Sequence, residues 1–145
     1  MTNNIIRDKI RESLKVLDSK ATLSSEVVEM TYVPADGYKK DNTPPCENAG
    51  WKPLEKYTVF EGEDSHYWLH AKIKTPTTSE NQEVRFTVKT GKEGLWDAVN
   101  PQFTVFVDGV TTQALDTNHT WFPLEGNKEY DIYLYLYTGM LHKIQ

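Results

Sequence analysis

The chain holds a single cysteine, Cys46, in 145 residues. No disulfide can form within it, so packing alone must hold the fold, as suits a reducing compartment. No apolar run approaches the roughly 18 residues that span a bilayer. The opening residues, MTNNIIRDKIRE, lack the basic and then apolar layout of a secretory leader. A soluble, cytoplasmic protein without a membrane partner is expected. On the same grounds Asn118-His119-Thr120, formally a glycosylation acceptor, is expected to stay unmodified. Positive charge is also in short supply, with 16 Lys and Arg against 21 Asp and Glu and a net charge of -5. The basic residues are scattered singly among acidic ones, which argues against nucleic acid as a partner. There is no glycine-rich phosphate loop, no Gly-X-Ser-X-Gly elbow and no cysteine pair. The motif-borne chemistries therefore find no support, and catalysis by this region alone is not expected.

What is present is periodicity. A length of 145 residues fits one domain around one core. Ile6, Ile10, Leu14 and Leu17 recur three and four apart, a spacing that predicts an amphipathic helix between Asn4 and about Ser19 within a leader of residues 1–20. Its charged opposite face means that the stripe must dock, either on this domain or on a neighbouring one. From residue 21 to 145 the period becomes twofold. Ser25–Val33 alternates with Val28, Met30 and Tyr32 on one face, and Tyr38–Gly50 reads as a long loop. Strands are predicted over Trp51–Phe60, His66–Ile73 and Val84–Thr90, the middle one turning Tyr67, Leu69, Ala71 and Ile73 to the core. Pro101 opens a strand with Phe103, Val105 and Val107 on one face. Asp108-Gly109 is a hairpin signal, and the return strand covers Val110–Leu115. Thr120–Leu124 and Tyr130–Thr138 complete the set, the last with Ile132, Leu134 and Leu136 opposed by Tyr133, Tyr135 and Tyr137. The implied fold is all-β: an antiparallel β-sandwich, jelly-roll-like and galactose-binding-like, preceded by an N-terminal α-helix.

Candidate sites are few. His66 and His70 have a metal-ligand spacing on a helix, but on a strand they stand about 13 Å apart, too far to share one zinc. Asp116, Asn118 and His119 form a polar cluster at a strand end. It serves either as an Asx-type turn or as a turn facing a cleft or an interface. Trp51, Trp68, Trp96 and Trp121 are candidate interface or sugar contacts. Aromatic rings on a sandwich stack on sugars, and they also fill cores and domain interfaces.

Three stretches carry a resemblance. They are Asp64-Ser65-His66-Tyr67-Trp68-Leu69-His70 leading to Thr75-Pro76; Asn100-Pro101-Gln102-Phe103 through Asp108-Gly109 to Gln113, Asp116 and Asn118-His119; and Glu129-Tyr130 through Tyr137-Thr138-Gly139. Together they resemble the region preceding the catalytic domain in the cytosolic and bacterial branch of glycoside hydrolase family 38, the α-mannosidases. Ala114 departs from that pattern, which would place a glycine there. The resemblance implies a non-catalytic structural and interface domain of a zinc-dependent, retaining α-mannosidase that hydrolyses terminal α-mannosyl residues. It implies no catalytic residue, metal or cofactor in this region, with zinc held by the catalytic domain of the same chain. That catalytic domain, a second copy in a homo-oligomer and the parent's α-mannoside substrate are the implied partners. The boundary just after the last strand implies a piece of a longer protein. The alternative is a stand-alone carbohydrate-binding β-sandwich module.

Overall fold

The computed structural model describes residues 7–9, 11–17, 22–35, 44, 50–54, 59–61, 65–89, 102–116 and 119–138. Within them the regular structure is entirely β. The strands are β1 (Arg7–Lys9), β2 (Arg11–Leu17), β3 (Thr22–Val27), β4 (Met30–Pro34), β5 (Lys52–Leu54), β6 (Val59–Glu61), β7 (His66–Lys74), β8 (Glu83–Lys89), β9 (Gln102–Val107), β10 (Val110–Leu115), β11 (Trp121–Leu124) and β12 (Glu129–Tyr137). They form a six-stranded sheet in the order β10-β9-β12-β7-β4-β5 and a four-stranded sheet in the order β11-β8-β2-β3, with β1 and β6 paired separately. Each pairing is antiparallel. Pro53 and Pro123 lie on edge strands, where a residue without an N–H interrupts no ladder.

Both sheets feed one apolar core. The four-stranded sheet gives Leu14, Val16, Val84, Phe86, Val88 and Phe122; the other gives Leu69, Ala71, Phe103, Val105, Ile132, Leu134 and Leu136. Phe86 and Phe122 stack there with ring centroids 5.0 Å apart. The expected phases hold through this part of the chain. Leu69 and Ala71 are buried in the core with Tyr67 and Ile73 packed against it, and the faces of β9 and β12 are as alternation predicts. Asp108 and Gly109 have φ of 50° and 84°, the left-handed pair that a two-residue hairpin turn requires. Where β7 ends, Thr75 Oγ1 donates to Glu125 O at 2.6 Å and accepts from Lys128 N at 2.9 Å, tying the start of β12 to the end of β7.

The predicted N-terminal helix is not formed: residues 7–9 and 11–17 are strands. Ile6, Ile10 and the segment 18–20 lie outside the described residues. β2 is an interior strand, paired with β8 over Arg11–Leu17 and with β3 over Ser13–Leu17. Ladders on both sides outweigh what a short, isolated amphipathic helix gains. The twofold pattern was masked because one inward position holds an acid. Glu12, Leu14 and Val16 point inward, while Ser13 and Lys15 lie between them on the other face. The predicted strand Ser25–Val33 is likewise two strands in different sheets, β3 and β4, joined through Val28-Glu29. The predicted strand Trp51–Phe60 resolves into β5 and β6.

Glu12 is 5 % exposed, its Oε1 has no hydrogen-bond partner among the described residues, and burial pushes its carboxyl up from 4.5 to about 7. Below pH 4.5 the folded and unfolded chains both hold this proton. Between 4.5 and about 7 the unfolded chain releases it first, so stability falls as pH rises, and above 7 the full penalty stands. Equilibrium urea unfolding from pH 4 to pH 8 should show a loss of roughly 3 kcal/mol from this group. Glu12→Gln should flatten that slope; an unchanged slope in the variant would place the linkage elsewhere.

Candidate binding site

The side of the six-stranded sheet that faces away from the shared core carries a second packed cluster. Alternation on β7 and β12 puts His66, Trp68, His70 and Lys72 on this side, with Asp131, Tyr133, Tyr135 and Tyr137 beside them in antiparallel register. Trp68 is fully buried here, packed with Val33, Phe106 and Tyr135, with Ala35, Trp51 and Tyr133 around them. Its ring makes an edge contact with Tyr135 at 4.9 Å and a tilted one with Phe106 at 5.5 Å. Each such pair contributes about 0.5–1.5 kcal/mol beyond area burial. The indole Nε1 is buried without a hydrogen-bond partner among the described residues, a cost of about 1–3 kcal/mol that the packing offsets. Trp68 is thus a floor to this face, and its burial withholds it from solvent-borne ligands.

Around that floor the surface becomes polar. His70 Nε2 lies 2.5 Å from Asp131 Oδ1, and because a carboxylate only accepts, Nε2 is the donor. The His70 ring is stacked on Tyr133 at 4.1 Å and 16°, and Trp51 is tilted against both, 5.9 Å from His70 and 6.2 Å from Tyr133. His66 makes a separate unit, its Nδ1 2.9 Å from the Tyr135 hydroxyl and its ring 5.1 Å from Tyr137. The two histidines therefore sit four strand positions apart on one face, each with its own partner. Among the described residues no group of three or more His, Cys, Asp or Glu is arranged to hold a metal ion.

A groove opens beside His70. β4 pairs with β7 only from Thr31 to Pro34, while β7 continues to Lys74 along β12. The strands part there and leave a cavity of about 500 Å³ lined by Glu29, Thr31, Pro53, Leu54, His70 and Lys72, with Met30 and Ala71 at its base. Its walls combine an apolar side, a carboxylate, an ammonium and an imidazole whose orientation Asp131 fixes. Asp131 is itself fixed: its backbone N donates to Asp108 Oδ1 at 2.8 Å and its carbonyl accepts from Asp108 N at 2.8 Å. The hairpin turn thereby braces the carboxylate that orients His70. A histidine–aspartate pair is also a general-base arrangement, and Thr31 lies opposite His70 in register on β4. The groove's own lining is an apolar side with polar groups around it, and the Trp51 and Tyr133 rings stand beside it, packed on His70.

The other candidate residues lie apart from this groove. Asp116 and His119 close the connection from β10 to β11: His119 N donates to Asp116 Oδ1 at 2.8 Å, and Asp116 N donates to His119 O at 2.9 Å. The Asp116 carboxylate thus accepts from a backbone N–H three residues on, and the His119 ring is largely exposed. Trp121 is on β11, in the four-stranded sheet. Asn118 and Trp96 lie outside the described residues. The groove itself was missed by sequence reasoning, since Glu29, Thr31, Pro53 and Leu54 carry no motif and meet His70 only through non-local pairing.

No protein-family model, no curated protein and no solved structure was found to match this chain. No helix among the described residues is long and apolar enough to cross a membrane.

The packing role of Trp68 is directly measurable. Trp68→Ala should destabilise the fold by about 3–5 kcal/mol in urea unfolding, the usual range for emptying a packed aromatic site. A change below about 1 kcal/mol would mean that the site collapses freely and that Trp68 is no floor at all.

Proposed function

We propose that this chain is a non-catalytic carbohydrate-binding β-sandwich module, jelly-roll-like and galactose-binding-like, that uses the groove beside His70. The observation that carries the reading is the fixed Trp51–His70–Tyr133 ring group with Asp131 at its edge, next to a groove holding Glu29 and Lys72. Pyranose rings present an apolar C–H face and a rim of hydroxyls. The ring group beside the groove matches the first, and the carboxylate, ammonium and imidazole groups of its lining match the second. Terminal α-mannosides are the first ligands to test, because the resemblance points to them.

A second reading is the accessory role in an α-mannosidase, in which the same face docks on a zinc-bearing catalytic domain in the cytoplasm. The half-buried ring cluster supports it, since domain interfaces are enriched in Trp and Tyr. It requires a zinc-hydrolase domain downstream in the parent reading frame.

Titration calorimetry of the chain with a panel of neutral oligosaccharides, α-mannosides included, at millimolar concentration should give saturable heat with at least one member. Trp51→Ala should weaken that binding by roughly two- to thirteenfold, the equivalent of one aromatic contact of about 0.5–1.5 kcal/mol. Absence of heat across the whole panel would sink the binding-module reading.

A further inference from the structure

The basic residues are scattered in sequence, but folding gathers several of them on one surface. In the four-stranded sheet, β2 and β8 pair in register: Lys15 lies directly opposite Arg85, Ser13 opposite Thr87, and Lys89 is two positions further along the same side of β8. This is the side away from the core, because Leu14, Val16, Phe86 and Val88 occupy the inner one. Like charges directly opposed across an antiparallel pair are destabilising. Lys15 feels this repulsion: partial burial, then the Lys89 and Arg85 charges, hold its ammonium below the usual lysine range. Neither Lys15 nor Lys89 has an ion-pair partner among the described residues. Arg85 Nε donates to Glu83 at 2.6 Å, and its guanidinium lies 3.7 Å over the Trp121 ring. Trp121 is 38 % exposed and stands at the edge of this surface in the row of Thr87 and Ser13.

We propose that this outer face of the four-stranded sheet binds an acidic saccharide, with the anionic substituent held between Lys15 and Lys89 and the sugar ring laid against the rim of Trp121. An anion there converts a repulsive cluster into a compensated one, so binding and relief of repulsion act together. The charge balance narrows the class. With a net charge of -5, the chain as a whole repels polyanions, so attraction is confined to about a Debye length, some 8–10 Å near physiological salt. A long polyphosphate needs an extended basic track and several stacking rings, whereas the described side chains of this surface offer one indole, already covered on one side by Arg85, and an acid, Glu83, paired with Arg85. A carboxylate or sulfate ester on a pyranose needs only this local arrangement. The surface is distinct from the His70 groove, on the other sheet, so either proposal can stand without the other.

The test uses the full chain, a sulfated heparin oligosaccharide, a uronate-only oligogalacturonate, a neutral mannan oligosaccharide and single-stranded DNA, each titrated at about 20 mM and 200 mM salt. The expected result is saturable binding of one or both acidic saccharides at low salt, weakened at least tenfold at high salt. Which of the two binds distinguishes sulfate from carboxylate recognition. Lys15→Gln with Lys89→Gln should lower that affinity at least tenfold without lowering the melting temperature, while Trp51→Ala on the other sheet should leave it unchanged. Binding of neither acidic saccharide, equal binding by the double variant, or tighter binding of DNA than of both saccharides would overturn the proposal.

Discussion

The central constraint is the register of β12 between β7 and β9. From Glu129 to Tyr137 each residue faces a fixed partner on β7, and from Ile132 to Tyr137 a second one on β9. With both edges occupied, the strand cannot slip by one position without turning all its side chains over. That single register sends Ile132, Leu134 and Leu136 into the shared core. It also lines up Tyr133, Tyr135 and Tyr137 beside His70, Trp68 and His66. The core and the ring surface are two sides of one alternation, so the apolar packing that stabilises the sheet also positions the groups that can meet a ligand.

The two sheets solve the outward face differently. On the six-stranded sheet, aromatic rings pack on one another around the buried Trp68, which leaves polar edges only at the margin. On the four-stranded sheet the outward positions of β2 and β8 are mainly hydroxyl and charged, Glu83 among the cations, and no second apolar layer forms among the described residues. The same backbone architecture thus presents one surface built from ring stacking and another built from unbalanced charge.

Legibility in the sequence followed the locality of the interactions. From β7 onward, twofold alternation and the Asp108-Gly109 turn were readable because each is set by neighbours within a few residues. The N-terminal strand was misread as a helix because Glu12 occupies an inward position, where alternation predicts an apolar side chain, and Leu14 and Leu17 fit a helical stripe equally well. The break between β3 and β4 was hidden because Val28 and Met30 keep the same phase across it. The groove and the cationic face were invisible for a different reason. Both arise from register between strands far apart in sequence, Thr31 with His70 in one and Lys15 with Arg85 in the other. Trp68 shows the limit from the other side: its outward phase was correct, but no local signal says that Val33, Phe106 and Tyr135 would close over it.

The chain passes from the four-stranded to the six-stranded sheet through only two residues, Val28 and Glu29. Val28 is anchored in the core and its N donates to Glu12 O, whereas Glu29 stands on the wall of the groove. So short a tether has almost no slack. A shift of one layer against the other is therefore passed along the chain directly to Glu29, on the groove wall.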